Sequence, residues 1–245
     1  KGIEISTMAD IPSEGSGLGS SSTVTVGLLN AMYAYKGEFV PAEVLADQAC
    51  RIEIDILGKP IGKQDQYIAA YGNLRRIEFR SSGEVEVSRV EMDPEKKRRM
   101  SESLMLFFTG VTRQSSAILC EQKQNIADRM PVLREMKRQS DEVHEYLVNG
   151  NADALGRVMH QGWLFKKQLV GRISSDAIDN MYEAAVEAGA LGGKIAGAGG
   201  GGFLLLYCPP ENQHRVRVCL KECGLKELPF SLERDGTKVI FNVRR

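Results

Sequence analysis

Glycine is spread unevenly along this chain, and its clusters limit what the backbone can do. Of 25 glycines in 245 residues, eleven fall in two short segments, at 15–19 and 189–202. The first segment, Gly15-Ser16-Gly17-Leu18-Gly19-Ser20-Ser21-Ser22, runs into Val24, Leu28, Met32 and Tyr35 at helical spacing as far as Gly37. It predicts a loop that opens a helix. Glycine tolerates the left-handed backbone and lets main chain approach a ligand closely, while a helix start offers unpaired N–H groups and a positive dipole end. Such a junction suits an anion, phosphate above all, and its serines can place a hydroxyl on a phosphate oxygen or a Mg²⁺. A glycine-rich turn with a serine N-cap is the plainer alternative, and spacing alone leaves it open.

The second cluster, Gly197-Ala198-Gly199-Gly200-Gly201-Gly202, satisfies GxGxxG literally. Phe203-Leu204-Leu205-Leu206-Tyr207 follows it as a strand, whereas a dinucleotide fingerprint follows a strand and opens a helix. Dinucleotide binding is therefore disfavoured. A P-loop is excluded as well, because Gly58-Lys59, Gly62-Lys63 and Gly193-Lys194 are followed by Pro, Gln and Ile, not by Ser or Thr.

Composition narrows the class. With 32 Lys+Arg against 32 Asp+Glu the formal net charge is +0, so there is no basic footprint for nucleic acid. Cys50, Cys120, Cys208, Cys219 and Cys223 lack paired CxxC spacing and read as reduced thiols, which makes a cytoplasmic protein the expectation. No apolar run approaches the ~18 residues of a membrane span. Residues 2–8 already alternate like a strand, so an N-terminal portion is expected to be missing.

A second helix is expected from Pro41 to Glu53, with Leu45, Ala49 and Ile52 turned inward, and then a polar loop from Gly58 to Tyr67. Residues 76–91 read as strands around a turn at Ser81-Ser82-Gly83. The charged stretch from Asp93 to Arg99 breaks the pattern and opens a short helix, which suggests one domain over 1–92 and another over 93–245. Leu104 to Phe108 reads as a buried strand. Helical patterns fill 114–148, 152–170 and 175–189; strand 203–208, helix 211–223 and strands near 226–232 and 238–243 complete the chain. Strands and helices mix without a strict βαβ repeat, so the expected class is α+β.

Several of these segments carry a resemblance. Pro12 to Ser21 looks like the second motif of the GHMP kinases, a proline followed by Gly-Leu-Gly-Ser-Ser, and Lys194 to Gly202 looks like the third motif. Within that family, Gly62-Lys63-Gln64-Asp65-Gln66-Tyr67 together with Leu106 to Arg113 resembles the D-glycero-D-manno-heptose 7-phosphate kinases; fucokinases share the Gln-Asp-Gln-Tyr segment. The resemblance implies a two-domain fold, ribosomal protein S5 domain 2-like at the N-terminus and ferredoxin-like at the C-terminus, with the active site between the domains. It implies an ATP- and Mg²⁺-dependent kinase acting on the anomeric hydroxyl of a heptose 7-phosphate to give the 1,7-bisphosphate. Carried onto this chain, Pro12, Gly15, Gly17, Leu18, Gly19, Ser20 and Ser21 would hold the nucleotide, and Ser21 with Glu53 the Mg²⁺. Asp65 would act as base or orienter for the sugar hydroxyl. Lys63, Gln64, Asp65, Arg113, Gly197, Gly199, Gly200 and Gly201 would contact substrate. Ser22 stands where an alanine is common, and the family's first motif is absent.

Taken singly, several residues have plainer readings. Glu53 at a helix end would be a surface carboxylate, and Asp65 in a polar loop a turn or cap residue. Arg113 suits either a forked phosphate contact or a helix-start salt bridge. His144, His160 and His214 read as surface or packing residues, Trp163 and Phe165 as core. A fucokinase-like or other sugar 1-kinase is the alternative within the class. A kinase-fold sugar sensor without turnover should lack the metal or base residue, whereas Ser21, Glu53 and Asp65 are all present.

Overall fold

The first glycine cluster does feed a helix. α1 spans Ser20–Lys36, entered from Gly19 and left through Gly37, both in the left-handed region that a chiral residue avoids. The computed structural model describes residues 2–11, 15–112 and 115–242, so Pro12 and Arg113 lie outside the described residues. Residues 2–10 are exposed and form no strand. Their alternation finds no partner among the described residues, and a strand needs a ladder to satisfy its backbone.

α2 covers Ala42–Cys50 and turns Leu45, Ala46, Ala49 and Cys50 inward, with Pro41 at its N-cap. The helix does not stop at Glu53 but widens into a π-helical turn, Arg51–Ile56. The loop expected to reach Tyr67 ends earlier, because Gln64–Tyr71 forms α3 with Asp65 in its first turn. These helices enclose a core of Val26, Leu45, Ala46, Ala49, Tyr67 and Ala70. The antiparallel hairpin of β1 (Arg75–Phe79) and β2 (Val85–Arg89) packs Ile77, Val85 and Val87 against it.

α4, Pro94–Glu102, starts where the charge run predicts it: the Asp93 carboxylate accepts from the Glu95 and Lys96 N–H groups, and Pro94 needs no donor of its own. β3 (Leu104–Phe108), β4 (Gly192–Ile195), β5 (Phe203–Tyr207) and β6 (Lys226–Glu227) then form an antiparallel sheet in the order β4-β5-β3-β6. The helical stretch at 114–148 divides into α5 (Ser115–Gln124) and α6 (Met130–Val148). α7 (Ala152–Lys167), α8 (Asp176–Glu187) and α9 (Gln213–Glu222) follow. Trp163, Ile173, Ile195, Leu204, Leu206 and Leu220 centre the larger core, whereas Phe165 is only half-buried. The strand pattern near 226–232 shrinks to the two residues of β6, and 238–242 adds no strand. The whole is α+β, as expected. Among the described residues no helix is long and apolar enough to cross a membrane.

Candidate functional site

The two glycine clusters, nearly two hundred residues apart in the chain, meet backbone to backbone. A Cβ added to Gly17 (φ 73°) would lie 2.5 Å from Ala196 O, and one on Gly202 would lie 2.6 Å from Ser16 O. Nothing larger than glycine fits this approach. Gly15, Gly17 and Gly19 all have positive φ, and Gly19, with no side chain to offer, is the N-cap of α1. This decides against a serine N-cap; a helix start of this kind is suited to an anion through its dipole.

Of the glycines expected to touch substrate, only Gly197 is exposed; Gly199 is half-buried, and Gly200 and Gly201 are buried. Their role in the fold is packing. Gly200 N donates to Ile173 O at 2.7 Å, and a Cβ on Gly201 would lie 2.5 Å from Val111 O.

Glu53 is wholly buried, which rules out the plainer reading of a surface carboxylate. The π turn, with its wider spacing, brings it under the α1 start. Ser21 Oγ donates to Glu53 Oε1 at 2.6 Å, while Ser22 Oγ and Gln66 Nε2 each donate to Oε2 at 2.7 Å. Lys59 Nζ completes the set, 2.9 Å from Oε1 and 2.6 Å from Ser21 Oγ. Burial alone would raise the Glu53 pKa; the donors from Ser21, Ser22, Lys59 and Gln66 outweigh it and hold the group below the usual carboxylate range. The Lys59 ammonium thus stands as a cation between the hydroxyl and carboxylate that the resemblance assigns to Mg²⁺. Among the described residues no group of three or more His, Cys, Asp or Glu could cage a metal. One carboxylate and one hydroxyl suit a hard ion that keeps water and takes its other oxygens from a phosphate, so these residues fit Mg²⁺.

Asp65 lies beside this pair and against the loop: its carboxylate carbon is 3.3 Å from where a Gly19 Cβ would be. Gln64 Nε2 donates to Asp65 Oδ1 at 3.3 Å. Burial lifts the Asp65 pKa above its ordinary value and Glu53 adds to the lift, while Gln64 and the charge of Lys194 oppose it. Lys63 is exposed at the α3 N-cap, and its carbonyl accepts from Cys50 Sγ. His160 Nδ1 and Tyr182 Oη are 2.7 Å apart inside the packing, and His214 is exposed, in line with their plainer readings.

Five residues of this neighbourhood were not legible as site residues: Ser22, Lys59, Gln66, Lys166 and Lys194. Ser22 and Gln66 adjoin Ser21 and Asp65 in sequence, which was the one signal for them. Lys194 opens the segment that resembles the third motif, whereas nothing in the local pattern marks Lys59 or Lys166.

Comparison with known proteins gives the arrangement a lineage. Residues 1–73 match the family model "GHMP kinases N terminal domain", and residues 143–225 match "GHMP kinases C terminal". The chain is similar to a D-glycero-alpha-D-manno-heptose 7-phosphate kinase of Campylobacter jejuni, 29% identical over 239 residues that cover 96% of this chain and 70% of that one. It is also similar to a mevalonate kinase of Methanothermobacter thermautotrophicus, 30% identical over 218 residues, 84% of this chain and 65% of the relative. A crystal structure described as a D-glycero-D-manno-heptose 1-phosphate kinase from Bacteroides thetaiotaomicron superposes with a TM-score of 0.73 at 27% identity, covering 93% of this chain and 64% of that one. The chain thus spans about two thirds of the length of these relatives. With both halves matched in order and the two glycine motifs folded onto each other, the chain belongs to the GHMP kinases.

Proposed function

We propose that this protein is an ATP- and Mg²⁺-dependent sugar kinase that phosphorylates the anomeric hydroxyl of D-glycero-D-manno-heptose 7-phosphate, giving the 1,7-bisphosphate. One observation carries the reading: the Asp65 carboxylate packs against Gly19 at the start of α1, two residues before Ser21, whose hydroxyl is bonded to the buried Glu53. A phosphoryl group held on the helix start would then meet both a metal position and an acceptor for a proton. Kinases work largely by positioning and charge neutralisation, and this cluster holds a candidate for each part. The phosphoheptoses in the names of two relatives support the choice of sugar.

Main-chain N–H groups of the Gly15–Ser21 segment would hold the ATP phosphates, and Ser21 with Glu53 would hold Mg²⁺. When bound, that ion neutralises phosphate charge. Ser22 and Gln66 fix the Glu53 carboxylate so that Oε1 faces Ser21. Asp65 receives the proton of the sugar hydroxyl. The proposed domains are 1–92, with the nucleotide loop and Asp65, and 93–245, with the Gly197 loop. A cytoplasmic place suits an ATP-consuming enzyme with free cysteines.

The test is ADP release by the purified protein with ATP, Mg²⁺ and a panel of D-glycero-D-manno-heptose 7-phosphate, L-fucose, galactose and mevalonate. Turnover confined to the heptose phosphate is expected; no ADP release with any acceptor would refute the reading.

A further inference from the structure

We propose that Lys166 is a phosphate-binding residue of the nucleotide site, its ammonium contacting the phosphate chain proposed to sit on the Gly15–Ser21 loop. The proposal deepens the kinase reading above and rests on it for the identity of the ligand.

Lys166 begins a series of contacts that ends on that loop. It lies in the last turn of α7, and its Nζ donates to Gly197 O. Gly197 in turn packs on the first glycine cluster: a Cβ added to it would lie 2.7 Å from Gly17 Cα and 2.9 Å from Gly17 O. With standard bond lengths, the ammonium stands no more than about 10 Å from Gly17 Cα. Gly17 leads through Leu18 to Gly19, the N-cap of α1. Gly197 is exposed, so the junction of the two clusters is open to a ligand.

A helix start attracts an anion through main-chain N–H groups and its dipole, which supply partial charges only. A P-loop adds a full positive charge, from the lysine that follows its last glycine. Here Ser20 follows Gly19, and Lys59 is engaged with Ser21 and Glu53. Lys166 brings from another element the charge that the loop's own sequence lacks.

The state of the ammonium fits this role. Its bond to Gly197 O uses one of three donors and leaves two for a ligand. Among the described residues no carboxylate lies within 4 Å of Lys166, whereas the adjacent Lys167 pairs with Asp179 Oδ1 at 3.0 Å. Burial, with the positive charge of Lys194 added, pulls the Lys166 pKa down to about 7, as befits an ammonium held without a counterion. A phosphate on the loop would be that counterion, joined by a charge-assisted hydrogen bond.

The test measures nucleotide affinity, which does not depend on turnover. Binding of AMPPNP and of adenosine, with Mg²⁺ present, is followed by calorimetry for the wild type, Lys166→Met, Lys166→Arg and Lys167→Met. The KM values for ATP and for D-glycero-D-manno-heptose 7-phosphate are measured in parallel. The expected result is an AMPPNP affinity about tenfold or more lower in Lys166→Met, the size of one hydrogen bond between charged groups. Adenosine affinity and the KM for the sugar phosphate should move less than about twofold, because neither reports on the phosphate chain. Lys166→Arg keeps the charge and should recover most of the loss, and Lys167→Met should match the wild type. Should Lys166→Met not fold, Lys166→Gln replaces it. Equal AMPPNP affinity of wild type and Lys166→Met would overturn the proposal. So would a loss shared equally by adenosine, which a merely structural role predicts, or a loss confined to the KM for the sugar phosphate. A wild type that binds AMPPNP through Lys166 but phosphorylates no sugar would refute the kinase reading and leave the phosphate contact standing.

Discussion

Lys59 Nζ stands 2.9 Å from Glu53 Oε1, the carboxylate fully buried and the lysine 37% exposed. The same ammonium reaches Ser21 Oγ, so a single cation joins the two groups proposed to hold the metal. Lys59→Met should leave the buried carboxylate with its donors from Ser21, Ser22 and Gln66 but without a countercharge. Exposure of the lysine limits the loss to about 1–2 kcal/mol, or roughly 2–8 °C in Tm for a chain of this size. Millimolar Mg²⁺ should raise the Tm of the variant more than that of the wild type. Equal Mg²⁺ responses would show that lysine and metal do not share a position.

Asp65→Asn should keep nucleotide affinity and lower kcat by about 10²–10⁴-fold, the range for loss of a general base. Steady-state kinetics with ATP titrated separately decides it, and an unchanged kcat removes Asp65 from the chemistry.

The pH dependence follows from the surroundings of Asp65. Burial raises its pKa, so the acidic limb of kcat/KM should lie above the ordinary carboxylate value, activity falling as Asp65 takes up its proton. The positive charge of Lys194 works the other way. Lys194→Met should therefore move that limb to higher pH; a shift to lower pH would contradict the placement of the two groups.

Glycine substitutions separate close approach from helix propensity. Gly17→Ala meets both a φ of +73° and a Cβ 2.5 Å from Ala196 O, and should cost about 2 kcal/mol or more. Gly27→Ala, inside α1 with nothing within 4 Å of the added carbon, should instead stabilise by about 0.5–1 kcal/mol. Denaturant unfolding of the two variants should give opposite signs.

Much of the secondary structure was readable because its signals are local. Gly37 ends α1, Asp93-Pro94 starts α4, and the apolar run at 104–108 is the buried β3. β4 escaped because its sequence is Gly192-Gly193-Lys194-Ile195, in which Ile195 alone favours a strand. A Cβ on Gly192 would lie 2.1 Å from Gly156 O and one on Gly193 2.4 Å from Leu205 O, so packing selected glycine over the β-branched residues that announce a strand. The strand expected at 2–8 failed for the complementary reason, its alternation being local and the required partner not.

The candidate site divides along the same line. The glycine loops and the serines at the helix start are recognisable from residue type and spacing, because backbone freedom and helix-end chemistry act within a few residues; Asp65 stood out only through the family resemblance. The burial of Glu53, the Lys59 ammonium between it and Ser21, and the contact of Lys166 with the Gly197 carbonyl are properties of the folded chain alone. They join groups 32 residues apart, as for Ser21 and Glu53, or 31 apart, as for Lys166 and Gly197. A charged side chain reads the same in sequence whether its partner is water or a carboxylate; only the packing of helices and strands removes the water and names the partner.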